Sequence, residues 1–215
     1  MLGVTFGGKH SYNDMGLLLK SYPVITPPSP KTKHVDILGA DGALDLSKVL
    51  TGYLQYNRRT ITMEFSIMAP REDWPAKHSE IMDALHGEEM QIVLDDDPNY
   101  CYTGILSVEG FDPQKVTSGV KITADVEPYK LRKTMTSRIV PCRGTRTETI
   151  AGGKMPTVPT IISSTSTVSM SFGGKAYTLQ TGENIFPDIV LRNGDNIFTF
   201  SGTSDIEIIW REGRF

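Results

Sequence analysis

The sequence has little of what enzymes and nucleic-acid binders are recognised by. It holds two cysteines and four histidines in 215 residues. Cys101 and Cys142 form neither a CxxC pair nor any metal-ligand spacing, so two free thiols in a reducing cytosol are expected. His10, His34, His78 and His86 never approach an HxH or HExxH arrangement, which removes the usual zinc signatures. Charge of one sign is not in excess: the formal net charge is -3. The densest basic pairs, Arg58-Arg59 and Arg132-Lys133, are too short to build the stripe that a phosphate-backbone binder needs, so no nucleic-acid contact is expected. No apolar run approaches the ~18 to 20 residues that span a bilayer. Gly7, Gly8, Lys9 and His10 interrupt the only stretch that could serve as a secretory signal. A soluble protein made in a cytosol, without membrane contact, is expected.

Other short patterns lead to plain readings. Asp95-Asp96-Asp97 clusters carboxylates as a Ca²⁺ site would, but Pro98 falls where alternating ligands should continue, so a solvated turn is expected. Gly173-Gly174-Lys175 lacks the other glycine and the Ser/Thr of a P-loop and reads as a hairpin turn. Ser163-Ser164-Thr165-Ser166-Thr167 has hydroxyls but no GxSxG elbow, and no histidine follows His86 to serve as a base. Glu64 and Asp125, the candidate carboxylates of a hydrolase, fall on the polar faces of different strands. Tyr177, Trp210 and Phe215 could form an aromatic platform for sugars, although buried aromatics are the plainer reading. No catalytic, cofactor-binding or metal residue is predicted, and no cofactor.

What the chain does have is alternation. In Thr60 to Met68, Ile61, Met63, Phe65 and Ile67 alternate with polar residues, the period of a strand with one buried face. Val120, Ile122, Ala124 and Val126 repeat it. Met90 to Leu94 and Tyr100 to Val108 read as two more strands around the Asp95–Asn99 turn. One helix is predicted, from about Trp74 to His86, with Trp74, His78, Ile81, Met82 and Leu85 on one face. Asp73 is expected to cap it, Pro75 to fit its first turn and Gly87 to end it. Leu85→Ala should cost roughly 2 to 5 kcal/mol if that face is buried. Ahead of these elements, Leu17 to Leu19 and Val35 to Leu38 are short apolar pieces, separated by Pro27-Pro28-Ser29-Pro30, which suits an extended loop.

After Tyr129 the texture changes: glycines and prolines recur and no helical period survives. A domain boundary is placed near residue 134, giving units 1–133 and 134–215. In the second, Val168, Met170 and Phe172 lead to a hairpin at Gly173-Gly174. Ile189 to Leu191 lead to another at Asn193-Gly194, followed by Asn196 to Phe200, and Ile206, Ile208 and Trp210 close the chain. Short strands at this spacing predict a small antiparallel sandwich. The hairpins share a turn grammar, with no true internal repeat.

The order of segments resembles the distal tail proteins of long-tailed phages and prophages of Gram-positive bacteria. Four stretches carry the resemblance. They are Asn13-Asp14-Met15-Gly16-Leu17; Gly39-Ala40-Asp41-Gly42-Ala43-Leu44-Asp45-Leu46 with Tyr56-Asn57-Arg58-Arg59-Thr60-Ile61; the helix with Ile92 to Pro98 and Tyr102-Thr103-Gly104; and the ending Ile208 to Phe215. The resemblance implies a mainly β protein. Its N-terminal belt domain, 1–133, would be a split β-barrel with one α-helix and a β-hairpin, and its C-terminal domain, 134–215, a galectin-like β-sandwich. It further implies a structural virion protein, not an enzyme: a homo-hexameric ring, single or stacked, that joins the tail tube to the baseplate at the virion tail tip and acts as a hub for adhesion components. The implied partners are the major tail protein of the tube, the tape-measure protein, a tail-associated lysin or tail tip protein, and a receptor-binding protein. The competing class is a carbohydrate-binding module recognising glycans of the host surface.

Overall fold

The computed structural model describes residues 2–39, 41–109 and 118–215. Ala40 of the Gly39-Ala40-Asp41-Gly42 turn lies outside them. The protein is mainly β and divides into two compact units, Met1–Lys130 with Phe215, and Leu131–Arg214.

In the first unit the strands are β1 (Val4–Phe6), β2 (Lys9–His10), β3 (Leu17–Leu19), β4 (Val24–Ile25), β5 (His34–Asp36), β6 (Ala43–Asp45), β7 (Arg59–Ile67), β8 (Glu89–Leu94), β9 (Tyr100–Val108) and β10 (Gly119–Val126). They form an antiparallel sheet in the order β2-β1-β8-β9-β10-β7-β3, with β4 also on β7 and β5-β6 a separate ribbon. Alternation dictates the centre. Ile61, Met63, Phe65 and Ile67 of β7 and Val120, Ile122, Ala124 and Val126 of β10 are all buried, and Ile122 pairs with Met63 across the ladder. The face they share packs with Val4, Phe6, Ile92 and Leu106. Phe6 meets Phe65 edge-on at 6.1 Å.

Helix α1 (Trp74–Leu85) sets Ile81 and Leu85 into the same core, with Trp74 and Met82 partly buried beside them. His78 is buried too, and its Nε2 lies 3.0 Å from the Glu109 carbonyl. The start of the helix departs from expectation: the Asp73 side chain makes no capping bond. Asp73 ends a 3-10 turn, Arg71–Asp73, and has helical backbone angles itself, so its carboxylate is not placed to accept from the amides ahead. The Trp74 indole instead ties the helix start to the Ala69 carbonyl at 2.9 Å. Pro75 occupies the first turn, where a missing donor costs nothing.

Strand β11 (Lys130–Arg132) spans the division. The second unit then consists of β12 (Thr136–Gly152), β13 (Thr160–Ser163), β14 (Ser169–Phe172), β15 (Lys175–Thr178), β16 (Gly182–Ile185), β17 (Gly194–Trp210) and β18 (Gly213–Arg214). Two of these are far longer than the sequence reading foresaw. β12 and β17 each run 17 residues and pair along their full length, from Thr136 with Trp210 to Gly152 with Gly194. The other edge of β17 is shared in succession by β14 and β13, which carry β15 and β16. Alternate residues of β17 on either side of Gly202, namely Phe198, Phe200, Ile206, Ile208 and Trp210, are buried in one cluster with Val140, Cys142 and Ile150 of β12. A straight strand of this length would reach about 55 Å. A domain of this size has a radius of gyration of about 12 Å. The sheet therefore curls into a half-barrel around its apolar face.

The hairpin at Gly173-Gly174 is present, pairing Phe172 with Lys175. The one expected at Asn193-Gly194 is not: Leu191 makes only an isolated bridge to Thr157, and Gly194 opens β17. The reason is a repeat that alternation conceals. Leu179-Gln180-Thr181-Gly182-Glu183-Asn184-Ile185 and Leu191-Arg192-Asn193-Gly194-Asp195-Asn196-Ile197 share the pattern L-x-x-G-acid-N-I twelve residues apart. Both leucines are buried and both isoleucines exposed. Asn184 Oδ1 accepts from the Gln180 amide at 2.7 Å, while Nδ2 donates to the carbonyls of Gln180, Gly182 and Ile161. Asn196 does the same with Arg192, Gly194 and Ile150. Each buried amide replaces backbone partners that the loop cannot supply, so the chain enters a strand through a loop and not a tight hairpin.

Candidate assembly surface

The most conspicuous surface belongs to β5 and β6. Val35 pairs with Leu44 and Asp36 with Ala43, and all six ribbon residues are exposed. A two-stranded ribbon alone is marginal in water because it buries almost nothing. Its geometry is held by polar bonds: the Lys33 amide donates to Ser47 Oγ at 2.9 Å, and the Ser47 amide to Asp45 Oδ1 at 2.8 Å. The bonds from Ser47 hold the Asp45 carboxyl below the usual carboxylate range. Around this frame Val35, Ile37, Leu38, Leu44, Val49 and Leu50 face solvent, Leu38 and Leu50 almost fully. Six of the 18 large apolar side chains exposed among the described residues thus fall between positions 35 and 50. Clustering of this kind makes the segment a candidate interaction surface, which scattered single residues would not be. The short apolar pieces are legible in the sequence but their exposure is not, because the mixture of Leu, Val and Lys with glycine turns carries no period from which to infer it.

Residues that suggested chemistry are dispersed. The three carboxylates of the β8–β9 turn go to three partners: Asp95 to His10 at 3.1 Å, Asp96 to the Tyr22 hydroxyl, and Asp97 to Lys130 at 2.7 Å. His10 Nδ1 accepts from the amides of Tyr12 and Asn13, so its Nε2 carries the proton given to Asp95. Among the described residues no group of three or more His, Cys, Asp or Glu side chains is placed to hold a metal. His86 Nδ1 accepts from the Val108 amide, and exposed His34 lies 3.9 Å from Asp45. Glu64 stands opposite Lys121, while Asp125 stands opposite Thr60, four residues along the ladder. That places the two carboxylates about 13 Å apart along the sheet, too far to share one substrate bond. Asp125 is instead bound by Arg58 Nε at 2.7 Å, whose guanidinium also reaches Glu127.

Arg59 is buried, with its guanidinium 5.1 Å from the centre of the Tyr102 ring. Its Nε and Nη2 have no hydrogen-bond partner among the described residues, and burial lowers its pKa. Ser163 Oγ donates to the Thr165 carbonyl and contacts Ser204 Oγ, and Ser164 Oγ lies 2.8 Å from that same oxygen. These hydroxyls knit a loop. The aromatics do not share a platform: Trp210 is in the second core, Tyr177 bonds Asp188, and Phe215 stacks on Tyr129 at 5.0 Å in the first unit. Cys101 and Cys142 are buried and unlinked.

A search of solved structures finds the Dit protein of phage SPP1, described as a paradigm of the hub adsorption apparatus in phages infecting Gram-positive bacteria. It matches with a TM-score of 0.69 over 100% of both chains, at 15% sequence identity. The protein has the fold of a phage Dit protein. The match runs the full length of both chains. A conserved protein of unknown function from Pseudomonas aeruginosa PAO1, PA5104, is 10% identical over 90% of this chain, but its TM-score of 0.30 carries no weight. Comparison with family models and with curated proteins finds no match. No helix among the described residues is long and apolar enough to cross a membrane.

Proposed function

We propose that the protein is a structural, non-catalytic component of a phage tail, acting as a distal tail protein. The observation that carries this reading is the exposed apolar ribbon at residues 35–50 in a chain that shares the Dit fold from end to end. In this reading residues 1–133 are the belt domain of a hexameric ring, single or stacked, and residues 134–215 a galectin-like outer domain. The ring joins the tail tube to the baseplate at the virion tail tip and meets the major tail protein, the tape-measure protein, a tail-associated lysin or tail tip protein, and a receptor-binding protein. It touches neither nucleic acid nor membrane.

A ring, as opposed to a twofold dimer, requires the ribbon to dock on a different surface of its neighbour. One ribbon and a different surface to receive it make a heterologous contact, which closes on itself only by rotation about a ring axis. Complete burial of one Leu or Val contributes about 1.5 to 3 kcal/mol. Six such residues on each copy supply an interface of order 10 kcal/mol before the cost of association is subtracted. Sedimentation and electron microscopy of the full chain, alone and mixed with tail partners, test the reading. Closed rings are expected; a monomer at every concentration, even with those partners, sinks it.

A further inference from the structure

In the first unit, helix α1 and the loop between β2 and β3 line a cleft of about 170 Å³. Its floor is apolar: Met15 and Ile81 are buried and Ala84 is half-buried. Its rim is charged. Lys77 and Glu80 stand on the helix side and pair with each other at 2.6 Å. On the other side Asp14 accepts from the His10 amide at 2.7 Å, which ties it to its own loop. Lys9 of β2 is exposed and enters no ion pair among the described residues.

A cavity of about 150 Å³ takes a benzene-sized apolar group. One leucine side chain is of that size, and the ribbon carries one at its tip. Leu38 lies in the turn that joins β5 to β6 and is fully exposed, so it does not fill the cleft of its own chain. Asp36 and Asp41 flank it, both exposed and without an ion pair among the described residues. An apolar knob between two carboxylates thus matches, in size and in charge, an apolar hole with an ammonium on its rim. Complementarity of this kind decides which surfaces meet and in what register. Knob and hole are different surfaces of one chain, so a contact between them is heterologous, as a closed ring requires.

On the premise that the chain assembles as a ring, we propose that Leu38 of one copy seats in the cleft beside α1 of the next, bringing Asp36 to Lys9. Disulfide trapping on the full chain, with tail partners present, tests this. Leu38→Cys mixed with Ala84→Cys should give a covalent dimer, and either variant alone should give none. A chain carrying both changes should give a ladder of multimers. The native thiols, Cys101 and Cys142, are buried, so the introduced pair reports alone. Lys9→Glu, at an exposed side chain, should raise the concentration needed for half-assembly about tenfold, the scale of one interfacial charge pair reversed. Adding Asp36→Lys should restore it, with circular dichroism confirming the fold of each variant. Rings that form without the Leu38–Ala84 link, or whose assembly neither charge change moves, would overturn the proposal and leave the ring standing. A link in Leu38→Cys alone would mean that two ribbon tips meet, and would overturn it too. No assembly of the parent chain, even with its partners, would remove the ring itself and this contact with it.

Discussion

Gly144 and Gly202 stand opposite each other at the midpoints of β12 and β17, both at positive φ, +100° and +138°. They mark where β17 changes partner on its other edge: Ser201 still pairs with Ser169 of β14, and Ile206 already pairs with Ser163 of β13. The Cys142 thiol lies 3.2 Å from the Gly144 carbonyl and 3.4 Å from that of Gly202. The two positions differ in their surroundings. A Cβ on Gly202 would sit 2.6 Å from the Thr167 carbonyl oxygen, whereas one on Gly144 would meet nothing within 4 Å. Gly144→Ala should therefore cost only the backbone term, about 1 kcal/mol. Gly202→Ala adds overlap with a main chain that cannot swing away and should cost roughly 2 to 4 kcal/mol. Urea denaturation of the two variants checks this, and equal losses would refute the account of the bend.

How much of this was legible depended on how local the cause was. The Ile61-Met63-Phe65-Ile67 and Val120-Ile122-Ala124-Val126 alternations, and the helix face of Ile81 and Leu85, each report a single buried face, and the structure buries all of them. In β12 the same period is broken by Pro141, Gly144 and Arg146, so a continuous 17-residue strand read as turns. Its continuity is imposed by β17, whose paired residues lie more than forty positions away. Asn193-Gly194 misled for the opposite reason: the dipeptide is a strong local hairpin signal, overridden by the Asn196 side chain three residues later. The ribbon's exposure and the pairing of Lys175 and Tyr177 with Asp188 depend on placement in three dimensions, which residue types alone do not encode.

The two asparagine turns should behave as a matched pair. Asn184→Ala and Asn196→Ala each strip four hydrogen bonds from a buried position. Each should cost about 2 to 4 kcal/mol, the range for leaving several buried backbone groups unpaired. Aspartate at either place keeps the acceptor but sets an oxygen against three carbonyls, so at neutral pH it should not rescue. Thermal melting of the four variants decides: a rescue by aspartate at neutral pH would mean that the donated bonds contribute nothing.

Tyr22 supplies a prediction at high pH. Its hydrogen bond to Asp96 comes first among the causes that raise its pKa from 10.0 to about 12, with burial and the Asp96 charge adding to it. The neutral phenol is favoured in the folded state, so the stabilisation is fully present below pH 10 and is lost as pH rises through about 12. Its size is small because the side chain is more than half exposed. Ultraviolet titration should show a Tyr22 contribution near pH 12 in the parent, and the difference from Tyr22→Phe should isolate it. Asp96→Asn should move it back toward 10, and an unmoved transition would refute the assigned cause.

The ribbon offers the sharpest separation between stability and assembly. Leu38 and Leu50 are essentially fully exposed, so a charge placed there takes nothing from the core of the chain that carries it. Leu38→Asp with Leu50→Asp should leave the melting temperature of the monomer unchanged, since surface substitutions of this kind lie within about 0.5 kcal/mol. In a ring the same two charges would be buried against a neighbour, at a cost of several kcal/mol each, and assembly should fail. Leu85→Ala is the opposite control: it empties a buried helix face, should cost roughly 2 to 5 kcal/mol, and should leave the contact surface intact. Sedimentation and melting on the three proteins separate the effects. Rings from the double aspartate variant would show that the ribbon is not the contact, and the exposed apolar residues would need another partner.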